Sequence, residues 1–182
     1  VFARAPRYGA VKTRLAREIG PSATLRFYRH TLLGLVRHLR RDGRFDVALA
    51  VTPDAARAGW SPGIAVTGQG RGDLGQRMVR ALRNAGTRPV AVIGSDIPEI
   101  TAAHIHAAFA ALGRAPFALG PARDGGYWLI GARHPFALAN DALGGVRWST
   151  QHTMGDTIAR LGDVAVLDAV LEEVALPVQD AG

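Results

Sequence analysis

The stretch Val90-Ala91-Val92-Ile93-Gly94-Ser95-Asp96-Ile97-Pro98 decides the fold class. Its four apolar residues, closed by glycine and too few for a helix, read as a buried strand. Gly94-Ser95 turns the chain at the strand end, and Pro98 stiffens the exit, so Asp96 is held between them. The pattern returns where Phe117-Ala118-Leu119 closes on Gly120-Pro121-Ala122-Arg123-Asp124-Gly125-Gly126-Tyr127. Each segment sets one aspartate just past a strand end, where open α/β sheets place their ligands. Carboxylates so held suit Mg²⁺ or Mn²⁺ and, through the metal, a phosphate. The plainer readings are that Asp96 caps a turn and that Asp124-Gly125 is a turn dipeptide.

On either side of these strands the pattern alternates. Val1–Ala5 is a short apolar strand, and Pro6–Arg14 a loop carrying Arg7, Gly9, Lys12 and Arg14. A helix is predicted from Pro21-Ser22 to about Arg41, with Ser22 as N-cap. Its apolar residues Leu25, Tyr28, Leu32, Leu35, Val36 and Leu39 recur at helical spacing and define one packed face. Asp46–Val51 reads as a strand, residues 55–67 are poorly patterned, and Gly68–Gly75 is a glycine-rich loop that follows no clear strand. Helices are expected at about 74–85, capped by Asp73, and 102–112, capped by Thr101. Strands follow at 117–120 and 127–131, short helices at Pro135–Leu143 and Met154–Leu161, and a strand at 164–167. Strands alternating with helices predict a three-layer α/β/α sandwich with a mainly parallel central sheet, as one domain over residues 1–182.

Composition narrows the function classes. The 48% hydrophobic content fits a globular chain and excludes a disordered or fibrous one. With no uncharged apolar run of about 18 residues, no membrane span is expected, and no signal peptide is visible. Cysteine is absent, so disulfide and thiolate chemistry are excluded, and a cytoplasmic location is the expectation. The charge is uneven. Residues 1–44 carry 11 Lys and Arg against 2 acidic residues, whereas 45–182 carry 11 against 13. The basic quarter supplies a local field for an anionic ligand, though Arg37, Arg40, Arg41 and Arg44 also suit a solvated helix face.

Arg4, Arg7, Lys12 and Arg14 crowd one strand-to-helix connection, with Gly9 permitting close backbone approach. Arginine offers paired donors to phosphate and lysine a compact mobile charge. The arrangement is not a P-loop, because Lys12 lacks the GxxxxGK[ST] setting, and Gly68-Gln69-Gly70-Arg71-Gly72 is no dinucleotide fingerprint. A diphosphate-facing turn at Gly70 and a base or ribose contact from Gln69 are the functional readings of that loop; a surface loop is the plain one. Gly125-Gly126 leaves room for a sugar or acceptor. Trp148 is the better ligand-side tryptophan, with Trp128 expected in the core. His152 near Asp156 has the makings of an acid–base pair, but reads more simply as a polar loop histidine.

Taken together, these blocks resemble the DUF2064 group of the GT-A-like nucleotide-diphospho-sugar transferase superfamily, also described as radical-SAM/selenodomain-associated transferase 1. The resemblance covers roughly residues 1–160. It rests on Phe2-Ala3-Arg4-Ala5-Pro6, Lys12-Thr13-Arg14-Leu15, Gln69 through Leu74-Gly75 with Arg77, Gly94-Ser95-Asp96-Ile97-Pro98, Gly120-Pro121 with Asp124-Gly125-Gly126-Tyr127, and Trp148-Ser149-Thr150. It implies that Arg4, Lys12 and Arg14 form a nucleotide-phosphate loop and that Asp96 is the metal-binding aspartate. Arg4 stands where the family commonly has lysine. Where the family often has an Asp-Val-Asp-Thr segment, this chain reads Val166-Leu167-Asp168-Ala169-Val170-Leu171-Glu172-Glu173, so Asp168 becomes the candidate second metal ligand.

The expectation is therefore a metal-dependent transferase using Mg²⁺ or Mn²⁺, with Lys12, Arg14, Asp96 and Asp124 as catalytic candidates. Glycosyl transfer from a nucleotide-diphospho-sugar to a small-molecule acceptor leads. Nucleotidyl transfer from a nucleoside triphosphate is the alternative, followed by a non-catalytic nucleotide-binding module. RNA binding by the basic quarter is not expected, since no nucleic-acid motif accompanies it.

Overall fold

Seven strands and five helices alternate along the chain in the computed structural model, which describes residues 1–57, 60 and 63–172, with Arg14 and Arg57 described by their backbone alone. The strands are β1 (Phe2–Arg4), β2 (Ala48–Thr52), β3 (Ala65–Gly68), β4 (Val90–Ile93), β5 (Phe117–Pro121), β6 (Tyr127–Ala132) and β7 (Val164–Val166). The helices are α1 (Thr13–Ile19), α2 (Pro21–Arg40), α3 (Leu74–Arg83), α4 (Ala102–Leu112) and α5 (Thr153–Leu161).

The strands β1, β2 and β3 pair in parallel, and β4, β6, β5 and β7 form a second ladder in that order. A single parallel bridge, Phe2 to Gly94, joins the two ladders into one sheet. Among the described strands only β6 runs antiparallel, as it must: the five-residue link from Pro121 to Tyr127 is too short for a parallel crossover, so β5 and β6 form a hairpin. Successive residues then face opposite layers. Ala118 and Leu129 pack towards α2 and α4, and Leu119 and Ile130 towards α3 and α5. Burial on both faces explains why the strands are short continuous apolar runs rather than alternating ones. The expected α/β architecture, a central sheet flanked by helices, is the one found.

Local signals hold where the chain satisfies them locally. Asp73 caps α3 and Thr101 caps α4, each in a reciprocal capping box with Gln76 and His104. Elsewhere the structure corrects the expectation. Ser22 is not the cap of α2: Gly20 is, with Pro21 at the first helical position, where its missing N–H costs nothing. The Pro6–Arg14 loop ends early, at α1. β2 begins at Ala48 rather than Asp46, and Pro135–Leu143 is helical only over a 3-10 turn at Pro135–Ala137. The glycine-rich loop does follow a strand, β3, hidden because Val66 is its only large apolar residue. Its order comes from pairing with β2, which sequence patterning does not report.

Candidate functional site

The carboxyl ends of β1 and β4 mark the point where chain connections leave the sheet in opposite directions, β1 towards β2 and β4 towards the other ladder. Such a switch point opens a crevice. On one wall lies the loop after β1. Arg4 is exposed there and its Nη1 donates to Ala10 O at 3.4 Å across a turn closed by Ala10 N to Arg7 O at 3.1 Å. Gly9 has φ 68° in that turn, and open space surrounds the position of a Cβ, so its glycine answers to conformation rather than crowding.

Lys12 precedes α1 with φ 45°, one of two non-glycine residues at positive φ among those described. This left-handed backbone is disfavoured for a residue with a Cβ and recurs at ligand-binding sites. It carries the Lys12 ammonium to the opposite wall, where Nζ lies 2.8 Å from Asp96 Oδ2. Both side chains are partly exposed, at 18% and 28%. Lysine and aspartate, 84 residues apart in sequence, thus meet at the mouth of the crevice. Asp96 follows Ser95, which is buried and shares a hydrogen bond with the Tyr28 hydroxyl at 3.2 Å. The Asp96 carboxylate folds back beside Gly94, where a Cβ would lie in ordinary contact at 3.4 Å from Oδ1.

The other candidates divide. Gln69 is fully buried and turned inward: Nε2 donates to Ala3 O at 3.0 Å and Ala50 O at 2.9 Å, while Oε1 accepts from Arg77 Nη1 at 3.1 Å. With its amide committed to β1, β2 and α3, it is a brace rather than a base reader. Gln69→Leu should therefore cost about 2–3 kcal/mol and lower Tm by roughly 5–10 °C, while phosphate-ligand affinity changes less than about twofold; melting and titration check it. At Gly70 the N–H donates to Asp54 Oδ1 at 2.9 Å, and a Cβ would run into the Arg80 guanidinium. That guanidinium holds the loop through Gln69 O and Arg71 O, so the expected diphosphate cradle has its Gly70 amide already spent.

Asp124 is exposed in the β5–β6 turn and accepts from Gly126 N at 2.9 Å, the turn role that was its plain reading. Gly125, expected to make room for a sugar, is filled by the chain itself. With φ 84°, a Cβ there would lie 2.5 Å from Gln151 Cα, and its carbonyl accepts from Met154 N at 3.0 Å. Trp128 is buried, as expected, and donates to Ala169 O. Trp148 is half-buried, edge-on to Tyr127 at 6.4 Å and packed over Gly75. Asp156 accepts two hydrogen bonds from the Arg147 guanidinium, which, with a smaller contribution from the nearby His152, holds its carboxyl well below the usual carboxylate range, so the carboxylate is committed first to Arg147 rather than to an acid–base pair. The Arg14 side chain, and Glu173 of the departing segment, lie outside the described residues.

Asp168 is exposed past β7, which β5 and β6 separate from β4. It borders a cleft with His104, Arg114 and Trp128 on the α4 face. Among the described residues no group of three or more His, Asp or Glu is arranged to hold a metal ion. The larger cavity, about 650 Å³, is lined by Phe45, Ala48, Val90 and Phe109 at the amino ends of the strands, away from Asp96. No described helix is long and apolar enough to cross a membrane.

Among the described residues two buried side-chain polar atoms, the Tyr127 hydroxyl and Arg133 Nη2, are unsatisfied. The Tyr127 hydroxyl has no partner at good hydrogen-bond geometry among the described residues, and burial pushes its pKa up to about 12, with a smaller opposing effect from the neighbouring Thr157 hydroxyl. Its folded pKa lies above the ordinary value of 10, so the folded state keeps the proton longer than the unfolded chain does. Its linked stability is whole below pH 10 and is lost as pH rises towards 12. Tyr127→Phe should flatten that slope in alkaline melts and, by removing an orphaned hydroxyl, raise Tm by about 2–4 °C at neutral pH.

The family described as "Uncharacterized protein conserved in bacteria (DUF2064)" matches residues 35–150. The chain belongs to the DUF2064 family. This DUF2064 chain is also similar in structure to a Desulfovibrio desulfuricans G20 protein, described as a "putative nucleotide-diphospho-sugar transferase" and solved at 1.90 Å. The two are 30% identical with a TM-score of 0.79, over 95% of this chain and 79% of that one. No curated protein matches it. The fold is thus that of the GT-A-like nucleotide-diphospho-sugar transferases, and the loop after β1 and the turn after β4 are the parts of this DUF2064 member that meet at its switch point. Asp54 and Arg80 escaped the sequence reading, and Tyr28 entered it only as part of a packed helix face. Only Tyr28 carried a signal, a hydroxyl on the packed face of a helix, which needs a partner when buried.

Proposed function

We propose that this DUF2064 protein is a transferase that binds a nucleotide-activated donor across the crevice between β1 and β4, with glycosyl transfer from a nucleotide-diphospho-sugar as its reaction. The observation that carries the reading is the Lys12–Asp96 contact of 2.8 Å at the switch point, with Arg4 at the end of β1 and Arg7 on the loop after it both exposed. A basic wall facing a carboxylate suits a ligand that is itself anionic and metal-binding, which a diphosphate is.

In this reading Arg4 and Lys12 bind the diphosphate oxygens, Arg4 through a planar fork and Lys12 as a point charge. Both stabilise the charge that builds on the departing nucleoside diphosphate as its bond to the sugar breaks. The donor chemistry of Asp96 fits Mg²⁺ or Mn²⁺, ions content with one or two carboxylates when phosphates and waters supply the rest. Asp96 would hold the ion, which when bound neutralises diphosphate charge. Asp124, exposed in the β5–β6 turn, would face the acceptor.

The test is calorimetric titration of nucleoside diphosphates, triphosphates and nucleotide-sugars, each with and without Mn²⁺. Metal-dependent binding of one nucleotide-sugar is the expected result. Preference for a triphosphate would move the reaction to nucleotidyl transfer, with attack at the α-phosphate and pyrophosphate as leaving group. Binding of none would overturn the reading.

A further inference from the structure

The two ladders of the sheet are joined by one bridge, and the Tyr28 hydroxyl lies where the join stops. Ala5 N donates to Thr52 O and Ala50 N to Val1 O, so the odd-numbered residues of the first strand turn their backbone groups towards β2. Even-numbered residues turn theirs towards β4. Phe2 meets Gly94 there. Arg4, the next in line, meets the Tyr28 hydroxyl instead: Arg4 N donates to it at 3.1 Å, and it donates to Arg4 O at 2.8 Å. With its one proton given to Arg4 O, the hydroxyl can only accept from Ser95 Oγ, 3.2 Å away. Tyr28 is 4% exposed, and burial raises its pKa above that of an ordinary phenol.

A side chain of α2 thus stands in for the ladder bonds that β1 and β4 no longer make. It does so between Arg4 on one wall of the crevice and Ser95-Asp96 on the other. We infer that Tyr28 is a positioning residue whose hydroxyl sets the separation of the basic wall from the Asp96 wall, so that a phosphate on one and a divalent cation on the other bind as a unit. This rests on the proposed reading of the site. It adds that the cooperation of metal and phosphate depends on one hydroxyl that touches neither.

Tyr28→Phe removes the hydroxyl and keeps the ring in the core, and two measurements read the result. Amide hydrogen exchange reports the strut without any ligand: the Arg4 amide should exchange at least about tenfold faster in the variant, while the amides of Val92 and Ile93 keep their protection. Titration with inorganic pyrophosphate, with and without Mn²⁺, reports the function. The gain in affinity conferred by Mn²⁺ should fall by about tenfold, whereas metal-free pyrophosphate affinity should change less than about twofold. Equal loss in both titrations, or none, would overturn the positioning role, as would an unchanged Arg4 exchange rate. If Mn²⁺ fails to strengthen pyrophosphate binding in the wild-type protein, the reading of the site falls, and the positioning role with it. A wild-type gain that survives in Tyr28→Phe overturns the positioning role alone.

Discussion

Asp96→Asn is expected to lower metal-dependent nucleotide affinity by about two orders of magnitude and to leave the fold intact. The asparagine keeps the shape and the turn, and an amide fits where the carboxylate lay beside Gly94. What it loses is the charge that would hold a divalent cation and that pairs with Lys12 at 2.8 Å. Because that pair is partly exposed, its removal costs little stability, about 1 kcal/mol or less. A Tm within a few degrees of wild type, with Mn²⁺ no longer strengthening nucleotide binding in calorimetry, is the predicted outcome. Unchanged metal dependence would remove Asp96 from the site and leave its carboxylate the turn-capping role.

How far this site is legible in sequence depends on the distance over which each residue is constrained. Asp96 and Asp124 announce themselves because strand ends and Asp-Gly turns are local, and so do the caps Asp73 and Thr101. The antiparallel β6 is local too, in the short link that forces a hairpin. Gln69 is the opposite case. Its neighbours are glycines, which read as an open ligand loop, yet its amide lies across Ala3 and Ala50, 66 and 19 residues away. Gly125 misleads similarly: the glycine is there for the close approach of Gln151, not of a ligand. Tyr28 and the Lys12–Asp96 contact belong to this nonlocal class. The resemblance to DUF2064 places Lys12 and Asp96 in one site, but that they neutralise each other is a matter of geometry alone.

That mutual neutralisation sets up the second large effect, one with opposite signs for two ligands. In the protein without ligand, a cation approaching Asp96 must displace or repel the Lys12 ammonium. A phosphate approaching Lys12 must in turn compete with the Asp96 carboxylate. A metal–phosphate pair meets neither obstacle, because each component takes over the partner the other has released. Lys12→Met removes one side of this exchange while keeping an unbranched side chain only one atom shorter. Mn²⁺ alone should bind the variant about five- to tenfold more tightly, as an adjacent positive charge is gone. Nucleoside diphosphate should bind about 30- to 100-fold more weakly, for loss of a charge-assisted contact at the phosphates. A merely structural lysine would weaken both ligands or neither. Titrating wild type and Lys12→Met with Mn²⁺ and with nucleoside diphosphate separately decides it: opposite shifts assign Lys12 to phosphate and Asp96 to metal, and parallel shifts refute that division.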